Sequence, residues 1–423
     1  MPHADHTGHT GRSGHIGRSG GADRSDREAA AVAALSAPGA PFATVRTETG
    51  SLVYADGPRT LREFVEPTWA YGDRPFLLGA GPAAVDPDPY TYTYTYTYGE
   101  FFAAATALAN HFVDAYGLRP GDRAALVMGD RPAWQAAFWA AQLAGLVAVP
   151  LDAGWTEDLL AYALDDCAPR VLLVDGERLP RVRRWAARQG PGAVRTVVGH
   201  HRGELDAGAE RYEDLPAPDR YAAPPDVEVR AEDDATISYV PGPSGRPRGA
   251  VATHLAQAGA AMNARYLAAV AALGRGEIPG LGSVPVTPLT SPFPYAGTSA
   301  RVYAAMAAGG ALRVPDGPPH DTGSGSGAAS GSGSGSASGA GSGSGSGPGE
   351  TFGLTETCGD VLAGGRPTPV TEVRIDEAGE LWLRGQSLVR GYWGEAPLGE
   401  GWFGTGVPAT LHDGRVRTGS PAP

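Results

Sequence analysis

A layered α/β fold on a mostly parallel sheet is the class this sequence predicts, and three observations predict it. Between residues 100 and 174 short apolar runs alternate with segments whose apolar residues recur at helical spacing. The chain has 423 residues, 42% of them hydrophobic, which suits two or three compact units with sizeable cores. From residue 351 onward the pattern becomes a series of short strand-like runs.

The elements follow in order. Residues 1–50 read as a disordered tail rich in Gly, His and Ser, in which Gly11-Arg-Ser-Gly14 recurs as Gly17-Arg-Ser-Gly20. Ordered sequence is expected from about Thr60. Tyr and Thr alternate without a break from Tyr90 to Tyr98, a period-two pattern of β-formers that predicts a strand. Phe101, Ala105, Leu108, Phe112 and Tyr116 predict a helix that Gly117 ends. Strands are expected at Ala124–Met128, Leu146–Leu151 and Val171–Val174, with helices at Ala133–Ala144 and Leu159–Ala163. Residues 186–232, polar and rich in Pro, Arg and Asp, give no pattern. A strand at Thr236–Val240, a Gly/Pro-rich loop and a helix from Thr253 to Ala269 come next, then a strand at Leu281–Val286 and a helix at Ala300–Ala308. Gly323–Gly347 contains only Gly, Ser and Ala and cannot bury enough apolar surface to offset chain entropy. The expected division is a tail at 1–50, an α/β region at 51–318, a flexible linker at 319–349 and a second compact segment at 350–423, with strands at Val370–Ile375, Glu380–Arg384 and Arg415–Arg417.

Composition narrows the function. A net charge of −12 argues against a general nucleic-acid binder, whose phosphate contacts recruit Lys and Arg. Every basic side chain other than histidine is arginine; the chain contains no lysine. Cys167 and Cys358 are the only cysteines, which implies no disulfide framework and fits a reducing cytoplasm. No apolar run is long enough to span a bilayer. Glu232-Asp-Asp234 reads as a solvated acidic loop.

The most informative stretch is Ile237-Ser-Tyr-Val-Pro-Gly-Pro-Ser-Gly-Arg-Pro-Arg-Gly-Ala-Val-Ala-Thr-His254. Strand, glycine-rich loop, basic residue and helix in succession can hold an anion: glycines let backbone N–H groups close on phosphate oxygens, and Arg248 neutralises charge. The spacing is not that of a Walker A loop. A plain surface turn between strand and helix explains the same residues.

In this segment the chain resembles the adenylate-forming superfamily of acyl-CoA synthetases, luciferases and peptide-synthetase adenylation domains. Tyr239, Gly242, Gly245, Pro247 and Gly249 match that family's Tyr-Thr-Ser-Gly-Thr-Thr-Gly-x-Pro-Lys-Gly loop. Further matches follow in the family's order: Thr351-Phe-Gly-Leu-Thr-Glu356, Gly379-Glu-Leu-Trp-Leu-Arg-Gly385, Gly391-Tyr-Trp393 and Gly401-Trp-Phe-Gly-Thr-Gly406. Upstream, Leu118-Arg-Pro-Gly-Asp122 and Ala148-Val-Pro-Leu-Asp152 are similar to its N-terminal subdomain, and Leu388-Val-Arg-Gly-Tyr-Trp393 looks like the bacterial fatty-acyl-CoA synthetases. The resemblance implies the large N-terminal domain of that fold, layered α/β subdomains plus a small β-rich one, here incomplete.

The family joins a carboxylate to the α-phosphate of ATP and then passes the acyl group to a thiol, usually of CoA. The resemblance therefore implies ATP, Mg²⁺ and CoA as cofactors and a carboxylic acid as substrate. It places Gly242, Ser244, Gly245 and Arg248 in a phosphate cradle, Phe352 and Gly353 against adenine, Thr355 on phosphate, and Glu356 on Mg²⁺. In the bland reading Phe352 is core and Thr355-Glu356 caps a turn. The chain departs from the pattern in several places. Pro241 and Pro243 lack an N–H, Arg248 stands for the family lysine, and Val407 stands for a ribose-binding aspartate. Pro294 follows Phe293 where an aromatic-His pair is common. The Gly/Ser tract falls where a glycine-rich adenine segment is expected, and the family's lysine-bearing C-terminal domain would have to act in trans. The sequence thus predicts an acyl-CoA synthetase-like protein with impaired or absent catalysis, or a non-catalytic module that binds an acyl group or a partner.

Overall fold

The computed structural model describes residues 24–79, 94–190, 192–279, 285–314, 351–398 and 401–419. The repeats of the first twenty residues, Tyr90–Thr93 and the 319–349 linker lie outside them.

Helix α1 (Arg24–Leu35) leads to a hairpin of β1 (Thr44–Arg46) and β2 (Leu52–Tyr54). This corrects the expected tail, because residues 24–50 are ordered. Val32, Leu35, Phe42 and Tyr54 pack on Met262 and Tyr266, burying apolar area that the Ala/Gly-rich composition obscured. Helix α2 (Leu61–Val65) is capped by Thr60, whose hydroxyl accepts the Glu63 N–H at 3.1 Å. Strands β3 (Pro75–Gly79) and β4 (Tyr94–Thr97) pair antiparallel, so the described part of the Tyr/Thr run is a strand. Thr97 and Glu100 form a capping box that starts α3 (Tyr98–Asn110), and a π turn at His111–Ala115 carries it on to Gly117, which has φ +65°.

The expected alternation then appears: β5 (Arg123–Val127), α4 (Pro132–Leu143), β6 (Val147–Pro150), α5 (Glu157–Cys167) and β7 (Val171–Asp175). Helix α6 (Leu179–Arg188) follows, and the stretch without a pattern contains β8 (Arg195–Gly199) and β9 (Ala209–Arg211). In α6, Leu179, Val182 and Trp185 share one buried face among arginines, a stripe too thin to stand out in the composition. Next come β10 (Asp234–Val240), β11 (Arg248–Thr253), α7 (His254–Gly274), β12 (Val286–Pro288), α8 (Ala296–Ala308) and β13 (Ala311–Val314). The last segment is β14 (Thr351–Leu354), β15 (Gly359–Ala363), β16 (Arg366–Pro367), β17 (Thr371–Ile375), β18 (Glu380–Gly385), β19 (Gly391–Tyr392), β20 (Phe403–His412) and β21 (Arg415–Thr418).

The large sheet has the order β19-β11-β10-β6-β5-β7-β8-β9 and is parallel from β10 to β9. Because β5 lies between β6 and β7, α4 and α5 cover opposite faces. Strand residues divide accordingly: Ala124 and Leu126 join the core under α3, α4 and α8, while Ala125 and Val127 join the core under α5 and α6. A second sheet runs β12-β13-β3-β4. Two small antiparallel sheets, β14-β15-β16 and β17-β18-β20-β21, share a core that includes Phe352, Leu362, Leu383 and Phe403. This β-rich unit is tied to the large sheet by β19, which pairs with β11, and by Arg390, which donates to both oxygens of Asp234 at 2.6 and 2.8 Å. Asp234 is therefore a partner in a bidentate ion pair and not a solvated loop carboxylate.

Candidate active site

The glycine-rich loop is the tip of a hairpin. Val240 pairs with Arg248 across it, and β11 separates the tip from α7, whose cap is Thr253. The expected direct passage from loop to helix is thus corrected: the positive end of α7 lies at the far end of β11, where it cannot attract an anion held at the tip. The tip's glycines answer to the turn. The Gly245 N–H donates to the Gly242 carbonyl at 3.1 Å, Gly245 has φ +78°, and a Cβ on Gly242 would collide with the Arg246 carbonyl. Ser244 is exposed on this tip.

Arg248, on β11, is half-buried. Its Nε and Nη2 donate to the two carboxylate oxygens of Glu395 at 3.0 and 2.5 Å. Its guanidinium also lies 3.7 Å from the centre of the Tyr392 ring. The Glu395 hydrogen bonds hold it above the usual arginine range. From the other side the Tyr392 hydroxyl donates to Glu356 Oε1 at 3.0 Å. Tyr392 therefore joins the expected phosphate cation to the expected metal carboxylate, although the two lie more than a hundred residues apart in sequence. Neither Tyr392 nor Glu395 was among the expected site residues. The Gly391-Tyr-Trp393 block was the available signal for Tyr392; nothing local marks Glu395.

Thr355 and Glu356 sit in a tight turn after β14. The cap is Thr357, whose Oγ1 accepts the Leu354 N–H at 2.8 Å and has its one proton within reach of the Gly359 carbonyl at 2.7 Å and the Leu354 carbonyl at 3.0 Å. Glu356 is buried, and among the described residues no group of three or more His, Cys, Asp or Glu side chains is placed to share a metal ion. Phe352 is 8% exposed and lies in the core of the β-rich unit. Gly353 is there for strand pairing, since a Cβ would strike the Gly359 carbonyl. Val407, on β20, is half-buried against the same core.

Thr355 does line a crevice between α4, β10, β11 and α8. Its space is about 410 Å³ counted to the open mouth. One wall is aromatic: Trp134 stacks between Phe138 at 5.6 Å and Phe293 at 5.1 Å. The Phe293 N–H donates to Asp130 Oδ1 at 2.9 Å and fixes that wall. Burial raises the Asp130 carboxyl above its ordinary range, partly offset by this hydrogen bond. The opposite wall is polar, with Thr236, Ser238, Gln257 and Ser299. Cys358 also lines it, but burial and then the Glu356 charge push its thiol up to about 12, so it is no thiolate nucleophile at neutral pH.

The family model described as "AMP-binding enzyme" matches residues 71–325, more than half of the chain. The chain belongs to the AMP-binding enzyme family. Among curated AMP-binding relatives, the feruloyl-CoA synthase of an Amycolatopsis species is 29% identical over 353 residues, covering 70% of this chain and 67% of that protein. The long-chain-fatty-acid–CoA ligase FadD13 of Mycobacterium tuberculosis is 31% identical over 157 residues, 36% of this chain and 29% of the ligase. In structure, the N-terminal domain of FACL13 from Mycobacterium tuberculosis superposes with a TM-score of 0.61 at 17% identity, covering 86% of this chain and all of that domain. The α/β fold is thus that of the N-terminal adenylate-forming domain. Among the described residues no helix is long and apolar enough to cross a membrane.

A magnesium nucleotide is the group the family implies, and the residues present do not fit it. The cradle's cation is engaged by Glu395, Pro241 and Pro243 offer no N–H, and Val407 offers no acceptor.

Proposed function

We propose that this chain is an acyl-CoA synthetase-like protein that keeps a carboxylic-acid crevice beside an impaired nucleotide half-site. The ancestral reaction is the ATP- and Mg²⁺-dependent activation of a carboxylic acid and its transfer to CoA. Membership of the AMP-binding family supports the ancestry, and the named chemistry of the curated relatives, CoA thioester formation from feruloyl and fatty acids, supports the substrate class. The observation that carries the impairment is the bidentate clasp of Arg248 by Glu395 beneath Tyr392. It puts a carboxylate where the family's cradle needs an uncommitted cation. Exchange of lysine for arginine adds to this, because a planar guanidinium fits a fork of two oxygens and not the point contact of an ammonium. Loss of an aspartate at Val407 removes hydrogen bonds to a charged acceptor, about 1.5–3 kcal/mol each.

The test is isothermal titration of the full chain with ATP and Mg²⁺. No heat of binding is expected up to millimolar nucleotide. Micromolar binding would overturn the impairment and would justify a search for a lysine-bearing domain supplied by another chain. A non-catalytic acyl-binding role is the second reading, favoured by the crevice that survives next to the altered cradle.

A further inference from the structure

We propose that Thr290–Tyr295 is a strap latched by two carboxylates, Asp130 and Asp152, and that release of this latch opens a path to the Cys358 thiol. This device is independent of what the crevice binds. It begins in the sequence Ser291-Pro-Phe-Pro-Tyr295, which lies between β12 and α8. Pro292 and Pro294 have no N–H, so Phe293 alone among these three residues can donate from its backbone. That N–H goes to Asp130 Oδ1 at 2.9 Å. Two residues on, the Tyr295 hydroxyl donates to Asp152 Oδ2 at 3.0 Å. Asp130 follows β5 and Asp152 follows β6, which pair parallel, so the strap is pinned at the carboxyl ends of two adjacent strands.

Charge explains the hold. The Asp130 and Asp152 carboxylates repel each other, and Arg178 offsets that repulsion at Asp130. Arg178 is itself engaged by Asp175 at 2.9 Å and Glu177 at 2.8 Å. Each of the two carboxylates therefore gains from a further donor, and the strap supplies one to each. The other oxygen of Asp152 accepts the Gly154 N–H at 2.7 Å, which leaves Oδ2 turned to Tyr295. Packing explains why the hold is reversible. Between Thr290 and Tyr295 the one buried side chain is Phe293, which stacks on Trp134 at 5.1 Å; Thr290, Ser291 and Tyr295 are exposed. The flanks are fixed, by the Leu289 N–H on the Arg313 carbonyl at 3.0 Å and by α8, whose Thr298 hydroxyl donates to the Ser291 carbonyl at 3.0 Å. A short segment held by one ring and two side-chain acceptors opens locally at far lower cost than the sheet beneath it. Cys358 makes that opening measurable. It lines the crevice together with Phe293 and Pro294 and is 3% exposed. The other cysteine, Cys167, is fully buried in the separate core under α5 and α6.

The experiment is timed labelling of both cysteines in the full chain with methyl methanethiosulfonate, read by peptide mass. The reagent reaches a buried thiol only through an opening, so the labelling rate follows the open population. Asp130→Ala removes a charged acceptor and is expected to speed Cys358 labelling roughly tenfold or more. Asp130→Asn keeps an acceptor for the Phe293 N–H and is expected to label Cys358 more slowly than Asp130→Ala does. Tyr295→Phe alters a side chain that is 41% exposed and is expected to speed Cys358 labelling roughly threefold. Cys167 should label at the parental rate in Tyr295→Phe and in both Asp130 variants. A Cys358 rate that stays parental in Asp130→Ala and Tyr295→Phe overturns the latch. Acceleration of Cys167 in step with Cys358 in Tyr295→Phe shows loosening of the whole fold and overturns it as well.

Discussion

Glu395→Gln tests the central feature of the site. The substitution keeps the side chain's size and one hydrogen bond but removes the charge that engages Arg248. The pair is partly open to water, with the two side chains 34% and 49% exposed, so the interaction is screened. An ion pair of this kind is worth roughly 0.2–1 kcal/mol. Removing a negative charge that would stand roughly 5 Å from a bound phosphate adds about 0.8 kcal/mol at water-like dielectric. Together these give about 1–2 kcal/mol in favour of an incoming anion, a gain in affinity of roughly 5- to 30-fold. Pyrophosphate is the probe, because it needs neither adenine nor ribose contacts. Isothermal titration at low and high salt measures the effect, and the gain should shrink as salt screens the exposed charges. A pyrophosphate affinity that stays within twofold of the parent chain at low salt would refute the argument that Glu395 competes for this cation. So would a gain that is indifferent to salt.

Other outcomes follow from the same geometry. Val407→Asp restores an acceptor on β20 and should raise nucleotide affinity at least tenfold, from the roughly 1.5 kcal/mol minimum of one hydrogen bond to a charged group, read by titration with AMP. Asp175→Asn should destabilise the fold by about 3–5 kcal/mol, read as a fall in the urea midpoint, because Asp175 is the buried partner of Arg178 at 2.9 Å, and among the described residues the guanidinium's other ion pair is with the exposed Glu177. His254 gives a pH dependence. Burial depresses its pKa to about 4, opposed weakly by Asp233 and Asp234, and neither ring nitrogen has a partner among the described residues. The folded state therefore prefers the neutral ring. This contribution is fully present above about pH 6.5 and is lost at roughly 1.4 kcal/mol per pH unit as pH falls from 6.5 toward 4. Urea midpoints across that range should lose this component in His254→Gln; a slope identical to the parent's would show that His254 does not carry it.

Several residues show where the sequence was readable. The helix α3 announced itself through the spacing of Phe101, Ala105 and Leu108, all within a few turns of chain. Strands β5, β6 and β7 were legible as apolar runs, because a parallel strand buried on both faces leaves no polar alternation to confuse. Strand β11 was not, because Arg248–Thr253 is short, follows a Pro/Gly tip and runs straight into a helix. Residues 24–50 were misread for a related reason: their order comes from contacts with α7 more than two hundred positions away.

By itself the sequence determined the α/β class, the strands β5, β6 and β7 with the helices between them, and the ordered motifs that mark the family. These depend on periodicity and turn chemistry, which act over a few residues and survive in a single string. Only the tertiary structure decided the state of the site. It placed Glu395 on Arg248 across 147 positions, set Tyr392 between Arg248 and Glu356, put Phe352 in the core of the β-rich unit and set Trp134 against Phe293 along the crevice. The physical reason is that an ion pair, a stack or a cavity is fixed by which side chains the folded backbone brings within a few ångströms, and no local pattern encodes that distance.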